Sequence, residues 1–111
     1  MLRVEIRRRG GRIAGFCVRG HAGLAPRGRD IVCAAVSALT QAAVAGLEDH
    51  LGLTPRVVTH PGYLECELPP GEEEDPRAQA ILATMLLGLR GVAQGQPGRV
   101  EFRERDLSDR R

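Results

Sequence analysis

Tryptophan and lysine are both absent from this 111-residue chain, and only Phe16, Tyr63 and Phe102 are aromatic. A core without large rings has to be assembled from Val, Ile, Leu and Ala, in keeping with a hydrophobic share of 42%. With lysine missing, all sixteen basic residues are Arg. Against fourteen acidic residues they leave a net charge of +2, well short of the concentrated basicity of a dedicated nucleic-acid binder. No direct contact with nucleic acid is expected. The densest basic run, Arg7-Arg8-Arg9, falls near a hairpin tip and reads as a solvated strand end, with a weak acidic or RNA contact as the alternative. No C-x-x-C pair occurs, and three cysteines (Cys17, Cys33, Cys66) are an odd number, which argues against a disulfide scaffold or a structural zinc. Neither metal nor cofactor is expected. The start of the chain lacks the continuous apolar run of a signal peptide. The longest apolar helical stretch, read as Ala78 to Val92, is too short and too amphipathic to span a bilayer. These absences predict a cytoplasmic chain with reduced thiols and no membrane partner.

What is present is a regular alternation of strand and helix signals over one domain, residues 1–111. Leu2, Val4 and Ile6 alternate with Arg3, Glu5 and Arg7, the pattern of a half-buried strand. Gly10-Gly11 is a hairpin signal, followed by a second strand from Arg12 to Arg19. Ala22 to Arg29 reads as a loop. Asp30 is a suitable N-cap for a helix carrying Val32, Val36, Leu39, Ala43 and Leu47 at helical spacing, stopped by Gly52 and Pro55. Arg56 to Thr59 and Tyr63 to Leu68 make a second strand pair around Pro61-Gly62. The acidic run Glu72 to Asp75 then leads, through Asp75-Pro76, into a second helix. Its apolar face is Ile81, Leu82, Met85, Leu86, Leu89 and Val92. A last strand spans Arg99 to Arg105. The order β-β-α-β-β-α-β predicts a two-layer α/β sandwich of the α+β kind. Its two helices cover one face of a five-stranded, mixed or largely antiparallel sheet.

Chemistry concentrates between Gly20 and Ser37. His21 closes the second strand beside glycines, and Cys33 falls in the first turn of the helix capped by Asp30. Only a thiolate is nucleophilic, and an ordinary cysteine titrates near pH 8.5. A helix N-terminus stabilises an anion by about 0.3–1 kcal/mol, or about 2 when partly buried. At about 1.4 kcal/mol per pKa unit, that amounts to a unit or less. A nearby imidazolium from His21 could supply the rest. Backbone amides near residues 31–34 could serve as an oxyanion hole. Asp30 has two candidate roles, helix cap or orienter of His21. Ser37, one turn beyond Cys33, is either a structural hydroxyl or a polar member of the site. Against this stands the reading of Cys33 as a small packing residue. Cys17 and Cys66 read as packing thiols, His50 as a helix-end residue, and His60 as part of a turn.

Gly20-His21-Ala22, followed by Gly28-x-Asp30-Ile31-Val32-Cys33-Ala34-Ala35-Val36-Ser37, resembles the signature of the ribosomal-processing cysteine protease family, Prp. The eleven residues separating His21 from Cys33 and the order of elements both fit. The resemblance implies a Cys/His dyad with Cys33 as nucleophile and His21 as general base and proton donor. It also implies a homodimer, and a substrate-binding segment Ala22–Arg29 with Gly23 and Gly28 as hinges. Gly23, Gly28 and Ser37 are thus the candidate substrate-binding residues. The activity it implies is removal of a short N-terminal extension from protein twenty-seven of the large ribosomal subunit. The resemblance likewise implies a target with bulky apolar or aromatic residues before the cut and small ones after it. Gln96-Pro97 departs from the family's Tyr-Pro before the last strand. The competing reading is a non-catalytic, ribosome-associated binding module.

Overall fold

The computed structural model describes residues 1–20 and 30–107. Two strands, β1 (Leu2–Arg9) and β2 (Arg12–Gly20), precede helix α1 (Ile31–Ala45), which continues through one wider π turn, Gly46–His50. Strands β3 (Arg56–His60) and β4 (Tyr63–Glu67) follow, then a 3-10 turn at Glu72–Glu74, helix α2 (Pro76–Gly95) and β5 (Val100–Asp106). The sheet order is β3-β4-β2-β1-β5, antiparallel except for the parallel pairing of β1 with β5. This is the two-layer α+β arrangement that the alternating pattern implies, with a mixed sheet.

Period-two alternation decides which residues meet the helices. Val4 pairs with Val18 and Ile6 with Phe16 across β1 and β2, and all four are buried. Gly10 and Gly11, at φ of +61° and +84°, close the hairpin in the conformation that twisted strands favour. From above, Val32, Val36, Ala43 and Leu47 on the α1 side and Ala78, Leu82, Met85, Leu86 and Leu89 on α2 complete the core. The helices cross closely where glycine permits. A Cβ on Gly88 would lie 2.9 Å from Leu39, and one on Gly46 would lie 3.1 Å from Ile81.

Two expectations need correction. Ile31–His50, and not Ala78–Val92, is the most apolar helical stretch, and at 20 residues it is long and apolar enough to cross a membrane by length and composition. Only 28% of its most apolar 18-residue window is buried, and its outer side is a row of small residues, Ala34, Ala38, Ala42 and Ala45. Alanine counts as apolar in a composition yet leaves little surface to hide.

The second correction concerns Arg7-Arg8-Arg9, which is not a solvated strand end. Arg7 is buried and bonded to Glu5 (2.6 Å), Glu65 (2.6 Å) and Glu67 (2.9 Å). Arg8 pairs with Glu104, and Arg9 with the buried Glu73. Gly15 lies between Arg7 and Glu67 in register, and its missing side chain leaves the lane through which Arg7 reaches across β2. Burial pulls the Arg7 guanidinium down, but its carboxylate partners outweigh burial and raise it above its ordinary range. The same bond holds Glu65 below the usual carboxylate range, against the opposing effect of burial.

Candidate active site

Strand β2 delivers the chain to the site through Gly20, at φ +95°, where a Cβ would meet the Met1 carbonyl at 2.6 Å. His21, Gly23 and Gly28 lie outside the described residues. The chain re-enters the description at Asp30, whose extended backbone (φ −82°, ψ 102°) is that of an N-cap. Its Oδ1 accepts the N–H groups of Val32 at 3.1 Å and Cys33 at 3.0 Å. Of the two roles open to Asp30, capping is therefore realised. Its carbonyl also accepts the Ala34 N–H at 3.1 Å, the first bond of the helix.

That arrangement narrows the supply of oxyanion donors. Three of the four amides between Ile31 and Ala34 are already committed to Asp30. Ile31 supplies the remaining N–H, and its side chain is 68% exposed beside it. The physical reason is competition: a good cap satisfies the same donors that an oxyanion would need.

Cys33 sits half-buried in this first turn and lines a groove of about 550 Å³ between α1 and the β3–β4 end of the sheet. One wall is a stripe down α1 at spacings of three and four: Cys33, Ser37, Gln41 and Val44. The other is built from Val18, Val57, Thr59 and Leu64. Ser37 belongs to this wall, where its Oγ accepts a 2.6 Å bond from Gln41 Nε2. Thr40, buried, donates back to the Val36 carbonyl at 2.9 Å. The groove is thus apolar with a polar rail, and the nucleophile candidate stands at one end.

The other two thiols differ. Cys17 and Cys66 are buried, as expected of packing residues. Burial, with smaller effects from Glu48 and Glu67, pushes the Cys66 thiol up to about 12, so it stays protonated at neutral pH. His60 ends β3 with its ring stacked on Tyr63 at 4.6 Å, and alternation puts both rings on the sheet face away from α1. Among the described residues no cluster of three or more His, Cys, Asp and Glu could hold a metal ion. Sequence reasoning found Cys33, Asp30 and Ser37 but missed Gln41, Val44, Val57 and Thr59. The α1 members were legible as the i+4, i+8 and i+11 positions from Cys33. The strand members carried no signal, since only the sheet order brings them there.

The sequence pattern of the family of the cysteine protease Prp matches residues 1–101, so the chain belongs to that family of cysteine proteases. No curated protein sequence matches the chain. Among solved structures, it is similar to the essential ribosomal processing protease Prp from S. aureus in complex with a covalently linked product peptide. That similarity has a TM-score of 0.87 and 24% identity, covering 95% of this chain and 100% of the other. The same S. aureus protease in complex with a substrate peptide gives a TM-score of 0.82 at 23% identity, with 95% and 100% covered. SMU.848 from Streptococcus mutans gives 0.79 at 29% identity, with 96% of each chain covered.

Proposed function

We propose that this chain is a cysteine endopeptidase that removes a short N-terminal extension from protein twenty-seven of the large ribosomal subunit. The observation that carries this reading is Cys33 in the capped first turn of α1, opening onto the groove. His21 takes the thiol proton, and the sulfur attacks the scissile carbonyl carbon. The oxyanion that forms is held by the helix end, where the Ile31 N–H is the amide not committed to the cap. His21 then gives its proton to the leaving amine, and water hydrolyses the acyl-enzyme. The capping carboxylate of Asp30 places a negative charge at the same helix end, so the thiolate depends on a cation beyond the helix dipole. His21 in its protonated form is the group that supplies it.

A wall of Val18, Val44, Val57 and Leu64 suits a bulky apolar side chain on the substrate, and a peptide ligand is in keeping with the S. aureus protease, which is solved in complex with product and substrate peptides. The enzyme acts in the cytoplasm as a homodimer, needing neither cofactor, membrane nor nucleic-acid contact. Support for self-association comes from Leu87, which is 71% exposed on α2. The basic run offers nucleic acid little, because Arg7, Arg8 and Arg9 already face glutamates.

The test is incubation of the purified chain with the source organism's unprocessed ribosomal protein, locating the new N-terminus by mass. Cleavage by the native chain and none by Cys33→Ser is the expected result. Undiminished cleavage by Cys33→Ser overturns the assignment.

A further inference from the structure

The groove has a second wall whose backbone is as informative as its side chains. Strand β3 ends the sheet, pairing only with β4 among the described residues. Which of its backbone groups face outward follows from neighbouring bonds. The Gly62 carbonyl accepts from Gly20 N–H at 3.0 Å, and Leu68 N–H donates to the Ala14 carbonyl at 2.7 Å. Even-numbered residues along β4 therefore direct their backbone groups toward β2, and Tyr63, Glu65 and Glu67 direct theirs toward β3. Their register partners are His60, Val58 and Arg56. That leaves the N–H and C=O groups of Val57 and Thr59 directed away from the sheet. The same two residues line the groove.

From this coincidence we propose that the substrate peptide binds as an added strand along the outer edge of β3. The inference rests on the proteolytic reading above and specifies how that site holds its substrate. Val57 and Thr59 exchange N–H···O=C bonds with alternate residues of the peptide. In such a pair the two opposed residues lie on the same face of the sheet. The peptide side chains opposite Val57 and Thr59 therefore enter the groove beneath Gln41 and Val44, and the intervening ones face Arg56, Val58 and His60. Dimensions agree. From Cys33 to Val44 the helix rises roughly 16 Å, and five extended residues span roughly 17 Å. Cys33 stands at the Thr59 end, because the β3–β4 turn residue Gly62 and the β2 terminus Gly20 line the groove beside it. The scissile bond lies at that end, and every second side chain along the peptide is read by the groove. Main-chain bonds supply affinity and the groove supplies selectivity.

A series of synthetic peptides spanning the processing site, each with one N-methylated amide, tests this on the unaltered protein. Binding is measured to Cys33→Ala, and cleavage to the native chain. Methylation at every second amide weakens binding about fivefold to tenfold, as expected for one lost backbone bond, and the intervening positions change it less than about twofold. Thr59→Pro, which removes one outward N–H and no ladder bond, raises KM by a similar factor with kcat unchanged. Cleavage of the unmethylated peptide with no alternation along the series overturns the added strand while leaving the protease reading intact. Failure of the native chain to bind or cleave the unmethylated peptide overturns both.

Discussion

The two faces of this sheet are held by different physics. On the helix-covered face Leu2, Val4, Ile6, Phe16 and Val18 are buried against apolar helix stripes, and cohesion is non-directional. On the open face the same strands present Arg7 to three glutamates in a network whose worth depends on every partner being present. The groove that Cys33 lines is on the first face, where a non-directional core tolerates incomplete filling beside it. The charge network borders a smaller cavity of about 210 Å³, lined by Arg3, Glu5, Arg7, Arg19 and Arg103 among others. The difference teaches that Cys33 and Cys66, which share the helix-covered layer, are distinguished by exposure, half-buried at the groove for one and fully buried for the other.

The sharpest way to break this comparison is to exchange the thiols. Cys33→Ala lowers kcat/KM by about 10⁴-fold or more, the scale of losing a nucleophile. Cys66→Ala leaves cleavage in place and costs about 1 kcal/mol of stability. An alkylating reagent at pH 7 labels Cys33 in the folded protein and spares Cys66, which is buried with its thiol pushed up to about 12. Equal labelling of the two would erase the distinction.

On the open face the largest effect belongs to Arg7→Leu, which leaves Glu5 without its Arg7 bond and Glu65 and Glu67 with only Arg56 and Arg9 as cationic neighbours. Denaturant unfolding at pH 7 is expected to show a loss of about 3–5 kcal/mol. The pH dependence has a definite sign. Glu65 is held below its ordinary range in the folded state, so its contribution is present above the usual carboxylate range and is lost as pH falls through the folded value. The native protein therefore weakens on acidification, and the penalty of Arg7→Leu shrinks below about pH 4 as the glutamates protonate. A penalty constant from pH 7 to pH 3 would mean that packing, not charge, sets the cost.

A smaller effect is expected at the lane between the two halves of that network. A Cβ at Gly15 would stand 2.4 Å from the Cys66 carbonyl and 2.9 Å from the Glu67 Cα, both backbone atoms that yield poorly. Gly15→Ala is expected to cost about 1–3 kcal/mol, read as a lower thermal midpoint. Smallest is Asp30→Ala, which frees the Val32 and Cys33 amides and costs about 1 kcal/mol in chemical unfolding. Its cleavage rate sharpens the role of the cap, since the change removes a negative charge near Cys33 and releases two donors at once. By contrast, the cap of α2 survives acid. The Arg77 side chain and backbone amide hold Asp75 down to about 2, so circular dichroism should show helix loss from that end only below about pH 3.

Much of this was legible in advance where a local rule applies. The Gly10-Gly11 turn, the caps at Asp30 and Asp75, and the strand alternation from Leu2 to Ile6 each depend on neighbours within a few residues. The π turn at Gly46–His50 carried no local signal, and Arg7 looked solvated because its partners Glu65 and Glu67 are nearly sixty residues away. Even Asp30 was only half legible. Its capping geometry could be anticipated, but not that it would occupy the amides assigned to the oxyanion.

Order and type of the elements, the half-buried face of each strand, and the placing of Cys33 in a capped first turn were determined by the sequence alone, because hydrophobic period and capping act within a turn or two of chain. The groove, the place of β3 at the sheet edge among the described residues and the ion cluster around Arg7 were decided only in three dimensions. Each depends on which strands become neighbours, and the order β3-β4-β2-β1-β5 is set by how the helices cover the sheet and not by any short stretch of residues.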